Sequence, residues 1–120
     1  MSEPVYSIPD CVVLRILDGD TVMLSVPVWH GIVLTLRVRM MHINAPELPT
    51  PTGLDASTYL RTIIGDRVDV VARGLDKYGR TLAELWNSGE DHAMPSLNAR
   101  MISSGHAEPY MSAVEDSHVN

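Results

Sequence analysis

The chain has 120 residues, 45% of them hydrophobic, with a single cysteine and a formal net charge of −6. That length holds one domain with one real core, and no apolar run approaches the ~20 residues needed to span a bilayer. Met1 to Pro4 lacks the basic start of a signal peptide, so an intracellular protein is expected. Cys11, alone, excludes an internal disulfide, and the acidity argues against a general nucleic-acid binder, whose affinity comes largely from released counterions.

Residues 1–10, with two prolines and two acids, are expected to form a flexible lead-in. Cys11 to Leu17 predicts a first strand with Val12, Leu14 and Ile16 on one face, and Asp18-Gly19 is a hairpin turn signal. Thr21 to about Val28 is the returning strand, with Val22, Leu24 and Val26 alternating inward. After Trp29-His30-Gly31, a third strand is predicted from Ile32 to Ile43, with Ile32, Leu34, Leu36, Val38 and Met40 on one face. Arg37 and Arg39 then share the other face, because strand side chains alternate. The prolines between Asn44 and Thr52 require a loop.

Gly53 to Ile64 reads as a helix with Leu54, Tyr59, Leu60, Ile63 and Ile64 on one side, stopped by Gly65. Arg67 to Arg73 predicts a fourth strand with Val68, Val70 and Ala72 inward, and Arg80 to Trp86 a fifth. Pro95 to Ser104 is a second helix ended by Gly105. This order predicts a mainly β, α+β fold: a five-stranded Greek-key barrel of the OB type with two packed helices. The domain is expected to occupy residues 11–110, and residues 111–120 are expected to be a disordered polar tail.

Three segments place acids and arginines at points a barrel could bring together: Asp18-Gly19-Asp20-Thr21, Arg39 through Asn44-Ala45-Pro46-Glu47, and Asp76-Lys77-Tyr78-Gly79-Arg80. Carboxylate oxygens suit a hard cation, planar guanidiniums clamp phosphate bidentately, and a free glutamate can take a proton from water. Cation, phosphate clamp and base together describe phosphodiester hydrolysis. Eight of the nine basic residues are arginines, the type that placed phosphate contacts require.

These segments, in this order, resemble the staphylococcal nuclease family over roughly residues 11–110, with the Gly53 helix, Leu97-Asn98 and Gly105-His106-Ala107 as further landmarks. The resemblance implies a five-stranded barrel and calcium-dependent hydrolysis of DNA and RNA, preferably single-stranded, by a monomer. It implies Asp20, Asn44 and the Ala45 backbone carbonyl as ligands of Ca2+, Arg39 and Arg80 as phosphate-binding catalytic arginines, and Glu47 as general base. Lys77, Tyr78 and Tyr110 match positions that line the nucleotide pocket.

Asn44 departs from the pattern, which has aspartate there. The amide oxygen remains a legitimate calcium ligand, but a full negative charge is lost. Opposite charges ~4 Å apart interact by about 4 kcal/mol at an effective dielectric of ~20. Since ~1.4 kcal/mol is a tenfold change, metal binding tenfold or more weaker is expected.

Simpler readings exist for each part. Asp18-Gly19 alone is a turn, Arg37 a solvated surface group, and Asp76 an orderer of its own loop. The five histidines show no zinc-ligand spacing, and six aromatics stock a base-stacking platform poorly. The alternative function is a catalytically weak or inactive barrel that binds nucleic acid or protein. Retention of Asp20, Arg39, Glu47 and Arg80 together favours the enzyme.

Overall fold

A computed structural model describes residues 5–110. Its elements are β1 (Tyr6–Asp18), β2 (Thr21–Trp29), β3 (Ile32–Met40), β4 (Ile43–Asn44), α1 (Pro51–Ile63), β5 (Arg67–Leu75), β6 (Thr81–Asn87), α2 (Leu97–Ser103) and β7 (Glu108–Pro109). The five long strands close a barrel in the order β1-β2-β3-β6-β5, and β4 pairs with β7 outside it. All barrel ladders are antiparallel except β3 with β6, which is parallel. The fold is the expected α+β barrel with two helices.

Alternation builds the core. Val22, Leu24 and Val26 of β2 and Val68, Val70 and Ala72 of β5 point inward, joined by Val38, Met40, Ala83 and Leu85. Cys11 is buried among them, and desolvation, with Asp69 and Asp10 nearby, pushes its thiol up to about 11. No helix of the described residues is long and apolar enough to cross a membrane.

Several boundaries differ from the sequence expectation, each for a local reason. β1 begins at Tyr6, inside the segment read as a lead-in, and pairs Tyr6, Ser7 and Ile8 with Ala72, Val71 and Val70 of β5. A bulge after Ile8 absorbs Pro9, which has no N–H to donate, and Asp10, whose φ is 61° and whose N–H bonds Asp69 Oδ1 at 2.9 Å. A second irregularity between Val13 and Arg15 breaks the alternation, so Leu14 is exposed rather than inward.

β3 ends at Met40, three residues early, because the chain turns at Met41 and His42, where φ is 69°. Its first residues, Ile32, Val33 and Leu34, are exposed with Val28 and Trp29 of β2. There the β2–β3 hairpin runs on past the barrel, since β3 meets β6 only from Val38 to Met40. α1 starts at Pro51, two residues before Gly53: Thr50 caps it by accepting the Gly53 N–H at 3.1 Å, and proline suits the first turn. Its buried face is Gly53, Ala56, Ser57 and Leu60, while Leu54 is exposed.

α2 is tied to the barrel through Asn98. The Oδ1 of Asn98 accepts the Leu85 N–H at 3.1 Å, and its Nδ2 donates to the carbonyls of Met41 and Ala83 at 2.9 and 3.0 Å. This single buried amide fastens the turn after β3, and hence the approach to Asn44, onto β6. Residues 111–120, read as a polar tail, lie outside the described residues.

Candidate active site

The three charged segments meet where β3 and β6 run side by side. Asp18 and Thr21 close the β1–β2 hairpin, and Thr21 pairs with Arg39 of β3. Arg39 in turn pairs with Leu82 of β6, two residues after Arg80. Parallel pairing is what brings two distant arginines to the same end of the barrel. The cleft between them has a volume of about 260 Å³ and is bordered by Asp18, Asp20, Arg39, Asn44, Glu47, Asp76, Lys77, Tyr78, Arg80 and Tyr110.

Asp20 is buried at 6% exposure and serves as an anchor. Its Oδ1 accepts from the Thr21 hydroxyl at 2.9 Å and its Oδ2 from the Ala45 N–H at 2.8 Å. Arg39 Nη1 lies 3.4 Å from that Oδ2 and donates to the Met40 carbonyl at 2.9 Å, while Nη2 donates to Asn44 Oδ1 at 3.2 Å. The Asp20 carboxylate and the Asn44 amide oxygen thus converge on one positive group. Their approach depends on Gly19: a Cβ there would stand 2.7 Å from the Ala56 Cβ and 3.0 Å from the Ala45 Cβ.

Glu47 is exposed at the cleft edge, and its carboxylate makes no hydrogen bond among the described residues. Its backbone is held instead. The Glu47 carbonyl accepts from the Thr50 hydroxyl at 2.6 Å and the Thr50 N–H at 3.2 Å, while Leu48 N–H bonds Asp18 Oδ1 at 3.1 Å. Gly53 permits this, because any Cβ there would run into the Glu47 carbonyl. The Leu48–Pro49 peptide is cis.

Across the cleft, Asp76 is buried and Arg80 half-buried. The Oδ2 of Asp76 accepts from Arg80 Nε at 2.6 Å, and its Oδ1 accepts the N–H groups of Tyr78 and Arg80 at 2.9 Å each. With Nε taken, the two Nη groups of Arg80 are left for a ligand. The guanidinium lies 5.3 Å from the Tyr78 ring centroid, and Lys77 Nζ is equally close to that ring. Tyr110 reaches the site because β7 pairs with β4 and its N–H bonds the His42 carbonyl at 2.8 Å. Its ring centroid is 5.9 Å from the Arg39 guanidinium.

Of the residues singled out from the sequence, Asp20, Arg39, Asn44, Glu47, Lys77, Tyr78, Arg80 and Tyr110 border one cleft. Ala45 is buried and does not border the cleft; its N–H bonds Asp20 Oδ2, and its side chain belongs to the core. Asp18 also borders the cleft, a position that its reading as a turn residue concealed. Asp76 orders its own loop as expected, and in addition aligns Arg80.

The donor set suits a hard cation in type, since Asp20, Asn44 and the Ala45 carbonyl offer only oxygen. It is sparse in charge, and among the described residues no three His, Cys, Asp or Glu side chains are grouped as a metal site. A calcium ion takes six to eight oxygens, roughly, so such a set fits a weakly held ion completed by water.

The chain is similar to endonuclease YhcR of Bacillus subtilis (strain 168), 31% identical over 115 residues, covering 82% of this chain and 9% of that protein. It is also similar to protein ParB of Escherichia coli, 35% identical over 103 residues, covering 82% of this chain and 55% of that one. The chain therefore spans about half the length of one relative and under a tenth of the other. The model of staphylococcal nuclease homologues matches residues 37–119, a span that opens in β3 and takes in Arg39, Glu47 and Arg80. A match over well over half of the chain, on a closed five-stranded barrel, places this protein in the staphylococcal nuclease homologue family.

Proposed function

We propose that the cleft hydrolyses phosphodiester bonds of nucleic acid, with calcium as the metal. The observation that carries this is the convergence of Arg39 from β3, Arg80 from the loop before β6 and an unbonded glutamate carboxylate on one cleft of about 260 Å³. Arg39 and Arg80 clamp the phosphate from two sides and stabilise the charge that gathers on its oxygens. Glu47, whose carboxylate makes no hydrogen bond among the described residues, takes the proton of the attacking water. Asp76 fixes the Arg80 fork before substrate arrives, which lowers the cost of ordering it.

Asp20, Asn44 and the Ala45 carbonyl would hold the cation, which supplies polarisation of a phosphate oxygen when bound. Lys77, Tyr78 and Tyr110 flank the cleft and are placed to contact the nucleotide's base, sugar or terminal phosphate. A single strand is the preferred substrate of this reading. The groups invoked need no second copy of the chain, and a monomer is the acting unit of this reading.

The test is hydrolysis of single-stranded DNA and RNA with calcium titrated from micromolar to tens of millimolar, beside Arg80→Ala and Glu47→Gln. Cleavage that rises with calcium and disappears in both variants supports the reading. No cleavage by folded protein at any calcium level, with nucleic-acid or protein binding retained, would make the barrel a binding module instead.

A further inference from the structure

Six of the nine basic side chains are accounted for. Arg39, Lys77 and Arg80 border the cleft, and Arg67, Arg73 and Arg100 are held by Asp10, Glu84 and Glu90 at 3.5, 3.4 and 2.7 Å. Arg15, Arg37 and Arg61 are exposed and make no hydrogen bond or ion pair among the described residues. In a chain of net charge −6, three unneutralised arginines call for an explanation of where they stand.

Two of them lie in one row across the sheet. Met23 of β2 pairs with Arg15 of β1 on one side and with Arg37 of β3 on the other. Directly opposed residues in an antiparallel ladder project from the same face. The next row, Ile16, Val22 and Val38, turns to the core, where Val22 and Val38 are fully buried. The Arg15–Met23–Arg37 row therefore faces outward, with the two arginine Cα atoms two strand spacings, or about 10 Å, apart.

The row is continuous with the cleft. Arg37 and Arg39 occupy alternate positions of β3, on one face and ~7 Å apart. β2 and β3 contain no Asp or Glu, so nothing on these strands neutralises the row. At its far end Arg15 shares a shallow groove with Arg61 of α1, beside Leu14 and Leu48, the residue after Glu47. Positive groups thus run from the cleft across the outer surface of β3, β2 and β1.

We propose that Arg37 and Arg15 hold backbone phosphates of the substrate strand on nucleotides beyond the one in the cleft, with Met23 as an apolar rest between them. The inference rests on the nucleolytic reading of the cleft and extends it from a single phosphate to a strand. An arginine fork suits a phosphate diester, and a line of forks that starts two residues from the clamp suits a chain of them. With no acid on β2 or β3, the strand has a path free of repulsion between the cleft and Met23.

The experiment measures binding of a fluorescein-labelled single strand of about a dozen nucleotides by anisotropy, with calcium chelated and salt varied. Arg15→Gln/Arg37→Gln is compared with wild type and with Arg67→Gln/Arg73→Gln, which removes the same charge from exposed ion pairs. The track variant is expected to bind the strand about tenfold less tightly, with a salt slope shallower by roughly 1.4, or ~0.7 per lost phosphate contact. Binding of thymidine 5′-monophosphate, whose single phosphate suits the Arg39–Arg80 clamp, should be unchanged. Strand affinity and slope equal to wild type, or an equal loss in the control variant, would overturn the track while leaving the nuclease reading untouched. Loss of strand binding in a protein that cleaves nothing would keep the track and remove the nuclease. Wild type that binds no strand would overturn the track outright.

Discussion

Asp76 and Arg80 form a closed pair at the mouth of the cleft: the carboxylate takes both the backbone N–H and the Nε of the arginine, the latter at 2.6 Å. Burial opposes the charge on Asp76. Hydrogen bonds from the Arg80 backbone and side chain and the Tyr78 backbone, with the Arg80 charge, outweigh it and hold the carboxyl below the ordinary aspartate range. A depressed carboxylate contributes stability above its unfolded value of about 3.9, and that contribution is lost as pH falls through the lower folded value. Asp76→Asn should therefore cost about 2 kcal/mol at neutral pH. The deficit should shrink in urea melts repeated in strong acid. Its kcat should fall while Arg80→Ala abolishes turnover; equal stability of Asp76→Asn and wild type at pH 7 would refute the pairing.

Asn98 offers a purely structural test. Removing its amide leaves the Leu85 N–H and the Met41 carbonyl without their partner in a buried place, while the Ala83 carbonyl keeps the Met41 N–H at 2.9 Å. Each such orphan costs about 1–3 kcal/mol, so Asn98→Ala should lose at least ~2 kcal/mol. At ~4–8 °C per kcal/mol for a small domain, the Tm should drop by more than about 8 °C. Calorimetry reads this directly, and a drop of only a few degrees would mean water replaces the amide.

Gly53→Ala separates the site from the fold. Its Cβ would collide with the Glu47 carbonyl, so either α1 or the Glu47 turn must shift. Overpacking of this kind costs about 1–3 kcal/mol, whereas alanine in a helix interior normally gains ~1 kcal/mol over glycine. The expected outcome is a folded protein with reduced stability and kcat lowered at least ~10-fold by displacement of Glu47. Unchanged kcat would show that the turn does not set the position of the base.

Asn44→Asp restores the family's charge beside Asp20. Calcium affinity, read by isothermal titration, should rise tenfold or more, as expected for a second carboxylate at an effective dielectric of ~20. Activity at limiting calcium should rise with it. Unchanged affinity would mean that the Asn44 oxygen, which already accepts from Arg39 at 3.2 Å, serves the arginine and not a metal.

Much of the barrel was legible because burial on one face imposes a period of two. Val22, Leu24 and Val26 and Val68, Val70 and Ala72 follow it without exception. The pattern misled where a bulge breaks it, as at Leu14, and where a hairpin leaves the barrel, as at Ile32 and Leu34. Tyr6 to Ile8 were hidden because Pro9 and Asp10 carry the composition of a loop, and only pairing with β5 makes them a strand. Leu54 misassigned the helix face, since close contact with the Glu47 turn favours Gly53 and Ala56 over bulk. Asp18 was masked by its own turn signal. The second duty of Asp76, orienting Arg80, depends on a loop conformation that spacing alone does not encode.

The barrel is sealed at the cleft by only three parallel pairs, Val38–Thr81, Arg39–Leu82 and Met40–Ala83. Each side of that seam belongs to a hairpin assembled from neighbouring sequence, β2 with β3 and β5 with β6. Local hairpins close early, and joints between distant segments form late, because the intervening loop must be ordered first. The two arginines thus sit on opposite sides of the joint expected to form last, Arg39 on one hairpin and Arg80 in the turn of the other. The cleft is therefore a product of tertiary closure and not of either hairpin alone.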